Sequence, residues 1–277
     1  MSRPEEEGTI RRRLDAELVR RGLSPSREAA RAAIEAGEVL VDGAPALKPS
    51  RQVSPAEDVR VLGPPSPFVG RGGHKLDAAL TRFGIDPAGW RCLDAGSSTG
   101  GFTDCLLQRG AAAVHAVDVG THQLHERLRA DPRVVVREQT DVRSLTPADL
   151  GGPVDLVVGD LSFISLRMVM PVLVPLVVDT GHLVLLIKPQ FEAGRAEAAR
   201  GRGIIRDPLV WRRVLGEVAS ATDDAGTAIL GLMPSPITGN RGNVEFLVHA
   251  VHSGPGVAPD VVAELLDAAV AEAVGSR

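Results

Sequence analysis

Residues 93–104 read LDAGSSTGGFTD. The stretch opens as the end of an apolar run, RCLDAG, and breaks into glycine and serine before a helical texture resumes. Glycines at positions 96, 100 and 101 let a backbone pass close to a ligand with no Cβ in the way. In an open α/β sheet, ligands sit outside the carboxyl ends of the strands, where strand order reverses. A strand followed by this loop is therefore a candidate nucleotide-binding turn. Asp118 closes the next apolar run, AVHAVDVG, where a carboxylate would accept hydrogen bonds from both hydroxyls of a ribose.

Those features alone do not separate a nicotinamide dinucleotide from S-adenosylmethionine. The spacing does. G-x-x-x-G-G is not the dinucleotide G-x-G-x-x-G, and Asp94 stands two residues before the first glycine. A carboxylate there would repel a pyrophosphate but suits a cationic sulfonium. The loop residues Gly96, Ser97, Gly100, Gly101 and Phe102, with Asp94 and Asp118, form the expected cofactor set. Asp141, just after the third strand, is expected at the adenine amino group.

From His74 onward, short apolar runs alternate with helical stretches: RCLDAG, AVHAVDVG, RVVVRE, VDLVVGD and HLVLLIKP. That alternation predicts a doubly wound α/β sheet. The chain before it differs. Ile10, Leu14 and Leu18 recur every four residues and predict a helix ending near Gly22. Ser24-Pro25-Ser26 offers an N-cap for a second helix over 27–36, closed by Gly37. EVLVDGAPAL then reads as a hairpin around Asp42-Gly43, with a further short strand at 59–62. The expected organisation is a small α+β domain over 9–62, a proline- and glycine-rich linker over 63–73, and the α/β domain over 74–277.

The chain has 277 residues, a net charge of −4 and 24% charged residues, which excludes a wholesale polyanion binder. A local basic patch is present. Between Arg11 and Arg31 seven arginines face three acids, 7 − 3 = +4. Arg13, Arg20, Arg27 and Arg31 are the candidate phosphate contacts, which set position rather than sequence. Cys92 and Cys105 show no metal-ligand spacing, so no metal is expected, and they read as buried thiols of a reducing, cytoplasmic compartment. The first residues, MSRPEEEGTIRRR, lack the apolar core of a signal peptide. The run 166–187 has the length of a membrane span but is broken by Pro171, Pro175, Asp179, Gly181 and His182. Its D-T-G is expected as a turn before a buried strand.

Lysine occurs only at positions 48, 75 and 188; arginine supplies every other basic residue. A lysine closing the apolar run HLVLLIK does something arginine cannot, because a partly buried lysine can lose its proton. Asp160 closes VDLVVGD, Glu245 lies in the late strand GNVEFLVHA, and Lys75 opens a helix after RGG. Two lysines and two carboxylates would thus converge beside the cofactor loop. Methyl transfer from a sulfonium to a hydroxyl needs alignment and removal of a proton from a weak acid, which fits that set.

The segments R-L-D at 13–15, S-R-E-A at 26–29 and G-E-V-L-V-D-G at 37–43 resemble the S4 RNA-binding domain. The order Lys75–Asp160–Lys188–Glu245 matches the tetrad of the FtsJ-like ribose 2′-O-methyltransferases. RGGHKLDAAL, AVDVG, DLSFISL, LIKPQFEAGR and SPITGNRGNVEF look like the TlyA family, which joins the two domains and also carries a haemolysin label. The resemblance implies a Rossmann-like S-adenosylmethionine-dependent methyltransferase sheet behind an S4 domain. It also implies ribosomal RNA as partner and cytidine 2′-hydroxyls in ribosomal subunits as target. Lys188 is then expected as the base, oriented by Asp160, with Lys75 and Glu245 placing the hydroxyl. The departures are Asp141, where the family pattern suggests asparagine, and Gly159-Asp160-Leu161, which varies the residues around the aspartate. Rival readings are a membrane-active cytolysin, a ribosome-binding module without catalysis, and a base N-methyltransferase. The last carries N/D-P-P-aromatic where this chain has D-L-S-F.

Overall fold

The computed structural model describes residues 11–24, 26–62, 67–239 and 242–276. Ile10, Pro25, linker residues 63–66 and positions 240–241 of the SPITGNRGNVEF stretch lie outside the described residues. The chain divides into two compact units between Arg71 and Gly72.

In the first unit, β1 (Arg12–Arg13) precedes α1 (Leu14–Arg20) and α2 (Arg27–Glu35); β2 (Val39–Val41), β3 (Ala44–Pro45), β4 (Gln52–Val53) and β5 (Val59–Val61) follow. Arg12 and Arg13 are extended rather than helical, a departure from the four-residue periodicity. They pair antiparallel with Val53 and Gln52, so their backbone bonds go across to another strand instead of along a helix. Ser26 caps α2, its hydroxyl accepting from the Ala29 N–H at 3.1 Å. Asp42 and Gly43 both have positive φ, 52° and 78°, as a two-residue hairpin turn requires. Strands β3, β2 and β5 form one small sheet. Leu14, Leu18, Ala30, Ile34, Val39 and Val53 are fully buried and make the core of this unit.

The second unit begins with α3 (Gly72–Phe83), whose start falls inside the glycine-rich 63–73 stretch. There follow β6 (Arg91–Ala95), α4 (Gly101–Gln108), β7 (Ala113–Val117), α5 (Glu126–Arg129), β8 (Val134–Arg137), β9 (Val154–Gly159) and α6 (Leu166–Leu173). The rest is β10 (Val177–Ile187), α7 (Pro189–Glu192), α8 (Arg195–Arg200), α9 (Pro208–Asp224), β11 (Thr227–Pro234), β12 (Phe246–His252) and α10 (Pro259–Gly275). Among the described residues, seven strands form one sheet in the order β11-β12-β10-β9-β6-β7-β8. Strands β6 to β10 run parallel, and β12 is antiparallel to both its neighbours. The order reverses between β6 and β9, so the crevice for a ligand opens above their carboxyl ends.

Two expectations need correction. The D-T-G at 179–181 is not a turn before the strand but an irregularity within β10. The register with β9 shifts between Val177 and His182, and Thr180 takes φ 63°. Val177 already pairs with Val154, so the strand starts early and bulges outward at its polar residues. Glu245 does not lie in a strand; it stands one residue before β12. Because β12 runs antiparallel, its beginning meets the carboxyl end of β10, with Phe246 opposite Ile187. Trp211 of α9 is fully buried against Phe246, edge-on at 5.9 Å, and its indole N–H donates to the Ile205 carbonyl at 3.1 Å. This packing backs the part of the sheet that carries Lys188 and Glu245.

Candidate active site

The loop after β6 needs its glycines. Gly96 has φ 84°, and a Cβ there would meet the Asp160 carbonyl oxygen at 2.9 Å. Gly100, with φ 97°, precedes α4, and a side chain would run into Leu128. The backbone of Ser97 donates to the Val117 carbonyl at 3.0 Å, tying the loop to β7, and its side chain is buried. Gly101 opens α4; Phe102 is buried and packs close to Gly72. Above the loop lies a cleft of about 710 Å³ lined by Gly96, Ser98, Asp118, Asp141, Asp160 and Phe163, among others.

The three aspartates expected at the cofactor differ in placement. Asp118 follows β7 and lines the cleft. Its Oδ2 accepts from the Ser98 N–H at 2.8 Å and its Oδ1 from the Gly120 N–H at 2.7 Å. Each oxygen keeps a lone pair in a fixed orientation, which suits a ribose diol. Asp141 also lines the cleft, but Arg143 occupies its carboxylate through the backbone N–H and the guanidinium, with contacts of 2.5 to 3.0 Å. An adenine amino group would compete with that pair. Asp94 does not line the cleft. It is fully buried within β6, with Oδ2 accepting from the Thr103 hydroxyl at 2.6 Å and Oδ1 without a partner. Burial pushes its carboxyl up to about 7.

Beside the cleft, four side chains from distant parts of the chain meet. Lys75 Nζ, in the first turn of α3, donates to Glu245 Oε2 at 2.7 Å and to Asp160 Oδ2 at 3.3 Å. Lys188 Nζ, at the end of β10, lies 2.5 Å from Asp160 Oδ1 and donates to the Ser162 hydroxyl at 2.8 Å. Burial works to discharge Lys75, but the Asp160 and Glu245 carboxylates outweigh it and hold its pKa above the ordinary lysine value. Burial likewise works against the Asp160 charge, and the ammoniums of Lys75 and Lys188 overcome it, holding the carboxyl below its usual range. Lys75 is therefore a fixed cation. Lys188 is the lysine that reaches a hydroxyl.

Several residues of this region lie in the family-like stretches DLSFISL and LIKPQFEAGR but had no role assigned from the sequence. Phe163 is 90% exposed, takes φ 65° and packs on Phe191 at 5.2 Å between ring centres. The Lys188 ammonium sits 5.8 Å from the Phe191 ring centre, within cation–π reach. Glu192 is 2% exposed and accepts from Ser165 and the Leu166 N–H. No spacing rule points to these, because their partners are a backbone amide, a hydroxyl and one another.

In the first unit, the candidate phosphate contacts are already paired. Asp15, fully buried, receives Arg13 at 2.9 Å, Arg27 at 3.1 Å and Arg31 at 3.6 Å. Glu17, 1% exposed, receives Arg20 at 2.6 Å and Arg21 at 2.8 Å. The guanidiniums of Arg13, Arg20, Arg27 and Arg31 remain substantially exposed, so two buried carboxylates hold them on display.

Comparison with known proteins bears on this arrangement. The family description "FtsJ-like methyltransferase" matches residues 68–252 and "S4 domain" matches residues 12–59. The 16S/23S rRNA (cytidine-2′-O)-methyltransferase TlyA of Mycobacterium tuberculosis is 50% identical over 239 residues, covering 86% of this chain and 89% of its own. This chain belongs to the TlyA family of FtsJ-like methyltransferases. A Bacillus subtilis member, "Putative rRNA methyltransferase YqxC", is 46% identical over 88% of this chain and 87% of its own. The solved structure "Putative hemolysin from Streptococcus thermophilus" superposes with a TM-score of 0.77 at 38% identity, covering 97% of this chain and 99% of that one. The TlyA-family cofactor is S-adenosylmethionine, and the residues present fit it. Gly96 gives close backbone approach, and the Asp118 oxygens keep free lone pairs towards the cleft. Among the described residues no cluster of three or more His, Cys, Asp or Glu could hold a metal, and no helix is long and apolar enough to cross a membrane.

Proposed function

We propose that this methyltransferase modifies the 2′-hydroxyl of cytidine in ribosomal RNA within the cytoplasm. The observation that carries the reading is the pair of lysines sharing Asp160 at the edge of the cleft. S-adenosylmethionine supplies an electrophilic methyl on a sulfonium. Lys188 Nζ, once it has released its own proton, takes the hydroxyl proton as the 2′-oxygen attacks, and Asp160 keeps that amine aimed. Lys75, locked as a cation between Asp160 and Glu245, places the hydroxyl together with Glu245 and offsets charge developing on the oxygen. The S4-like part, assigned to 9–62, docks RNA through exposed arginines, and the part assigned to 74–277 carries the chemistry.

The names of the relatives support ribosomal RNA and cytidine as substrate class. The D-L-S-F text after β9 supports ribose rather than base as acceptor. The test is transfer of labelled methyl from S-adenosylmethionine to ribosomal subunits lacking the modification, with wild type and Lys188→Arg side by side. Label at a cytidine 2′-oxygen that disappears in the variant, with cofactor binding intact, is the expected result. Near-normal turnover by Lys188→Arg would remove the base role. Absence of label from both subunits with wild type would remove the substrate.

A further inference from the structure

Two short arms run side by side at the mouth of the cleft. One is the segment from Asp160 to Ser165 between β9 and α6; the other runs from Lys188 through α7 to Glu192. They touch as a series of pairs. Asp160 meets Lys188 at 2.5 Å, Ser162 meets Lys188 at 2.8 Å, and Phe163 meets Phe191 at 5.2 Å between ring centres. At the far end, Glu192 Oε1 accepts from the Leu166 N–H at 2.7 Å, and Oε2 accepts from the Ser165 hydroxyl at 2.5 Å. Arg167 closes the junction: its Nε lies 3.4 Å from Oε2 and its Nη2 donates to the Glu192 carbonyl at 2.9 Å.

We infer that Glu192 is a positioning residue for methyl transfer, fixing the arm that carries Lys188 to the arm that carries Asp160 and Ser162. The inference rests on the proposed roles of Lys188 and Asp160, and three observations support it. The carboxylate is 2% exposed, so it has left water for these partners, and a buried charge is retained only where it is paired. It supplements the cap of α6, whose N-cap Ser165 also accepts from the Arg167 N–H. Without it the link between the arms would rest on the lysine contacts, the Phe163–Phe191 pair and the Arg167 bond to the Glu192 carbonyl. Phe163 is held at positive φ in the same arm, a conformation a bulky residue keeps only where its surroundings enforce it.

The reacting geometry depends on the separation of the arms, because Lys188 Nζ is placed by both Asp160 and Ser162. Displacement of a catalytic group by about 1 Å costs on the order of a hundredfold in rate. Glu192→Ala is therefore expected to lower kcat per cofactor-binding molecule by roughly tenfold or more, with KM for the RNA substrate changed by less than about threefold. Glu192→Gln, whose amide oxygen still accepts from the Leu166 N–H while its NH2 donates to the Ser165 hydroxyl, recovers most of kcat. Ser165→Ala, which removes one bond of the two, falls between wild type and Glu192→Ala.

Kinetics on ribosomal RNA and amide hydrogen exchange of residues 161–166 test this together. Faster exchange confined to that arm in Glu192→Ala, with the kcat loss and the glutamine rescue, is the expected result. Unchanged exchange in the arm, or wild-type kcat per cofactor-binding molecule, would overturn the inference. Should Glu192→Ala not fold, Glu192→Gln and Ser165→Ala carry the same comparison. Exchange needs no substrate, so a wild type that fails to methylate ribosomal RNA sinks the proposed function while the frame is still judged.

Discussion

Lys188 and Asp160 meet Nζ to Oδ1 at 2.5 Å, and the other oxygen of the same carboxylate lies 3.3 Å from Lys75. One half-buried acid therefore separates two lysine Nζ atoms. Its pKa is held below the ordinary carboxylate range because both lysines oppose the effect of burial. A carboxyl depressed in the folded state supplies stability above its unfolded pKa, which is lost as pH falls through the folded value.

Asp160→Asn keeps the shape and removes that charge. Lys75 would still have Glu245, but Lys188 would lose its acidic neighbour and the two cations would face each other. Breaking a buried pair costs about 3–5 kcal/mol, and the lower end applies to a side chain 22% exposed. The expected outcome is a fall in denaturant midpoint at pH 7, with methyl transfer down by at least about a hundredfold. The stability difference from wild type should shrink as pH falls below about 4 and the native carboxyl protonates. A variant with wild-type stability at pH 7 would show that Asp160 does not separate the lysines energetically.

Gly96→Ala tests the cofactor loop. The substitution puts a Cβ 2.9 Å from the Asp160 carbonyl oxygen at a residue with φ 84°. The obstacle is backbone, so it cannot swing aside. Strain on the order of 1–3 kcal/mol is expected, with S-adenosylmethionine affinity down by about tenfold by calorimetric titration. Unaltered affinity would mean that the loop accommodates a side chain and that its glycine serves no close approach.

The sheet was legible because its strands are apolar runs that end on charged residues, and strand ends are where an α/β fold places its ligands. Lys75, Asp160, Lys188 and Glu245 are brought together on that logic even though Glu245 precedes its strand instead of ending it. What sequence reasoning missed has physical causes. Asp179-Thr180-Gly181 carries the same chemistry whether it turns the chain or bulges within a strand. Asp94 sits in the loop motif, yet strand alternation points it to Thr103 and away from the cleft lining. Glu192 acts through a backbone amide and a serine, which leave no periodic trace.

His182 and His249 give the unit a pH dependence of opposite origin to a salt bridge. Their rings meet Nδ1 to Nε2 at 3.0 Å, with Trp90 stacked on His182 and Phe83 against His249. Burial, then the neighbouring His182, holds His249 down to about 4. A histidine depressed in the folded state adds stability above its unfolded pKa near 6.5, and that stability is lost as pH falls towards 4. Up to about 3 kcal/mol is at stake in this window. Replacing His249 with Gln should flatten the fall in melting temperature between pH 6.5 and 4.5. An equal slope in variant and wild type would assign the acid sensitivity to other groups.

The arginines of the first unit make a prediction about RNA that the charge count alone does not. Arg27 and Arg31 share the buried Asp15 and keep 58% of their side chains exposed, so each is anchored at one edge and open at the other. A pre-positioned guanidinium loses less freedom on meeting a phosphate than a loose one. Arg27→Gln with Arg31→Gln should weaken binding to ribosomal subunits and lower the slope of log affinity against log salt by about one per arginine. The turnover number at saturating RNA should not move, because neither residue is assigned to the chemistry. A salt slope identical to wild type would place the RNA contact elsewhere on the chain. A reduced turnover number with unchanged affinity would mean that these arginines act on the methyl-transfer step rather than on docking.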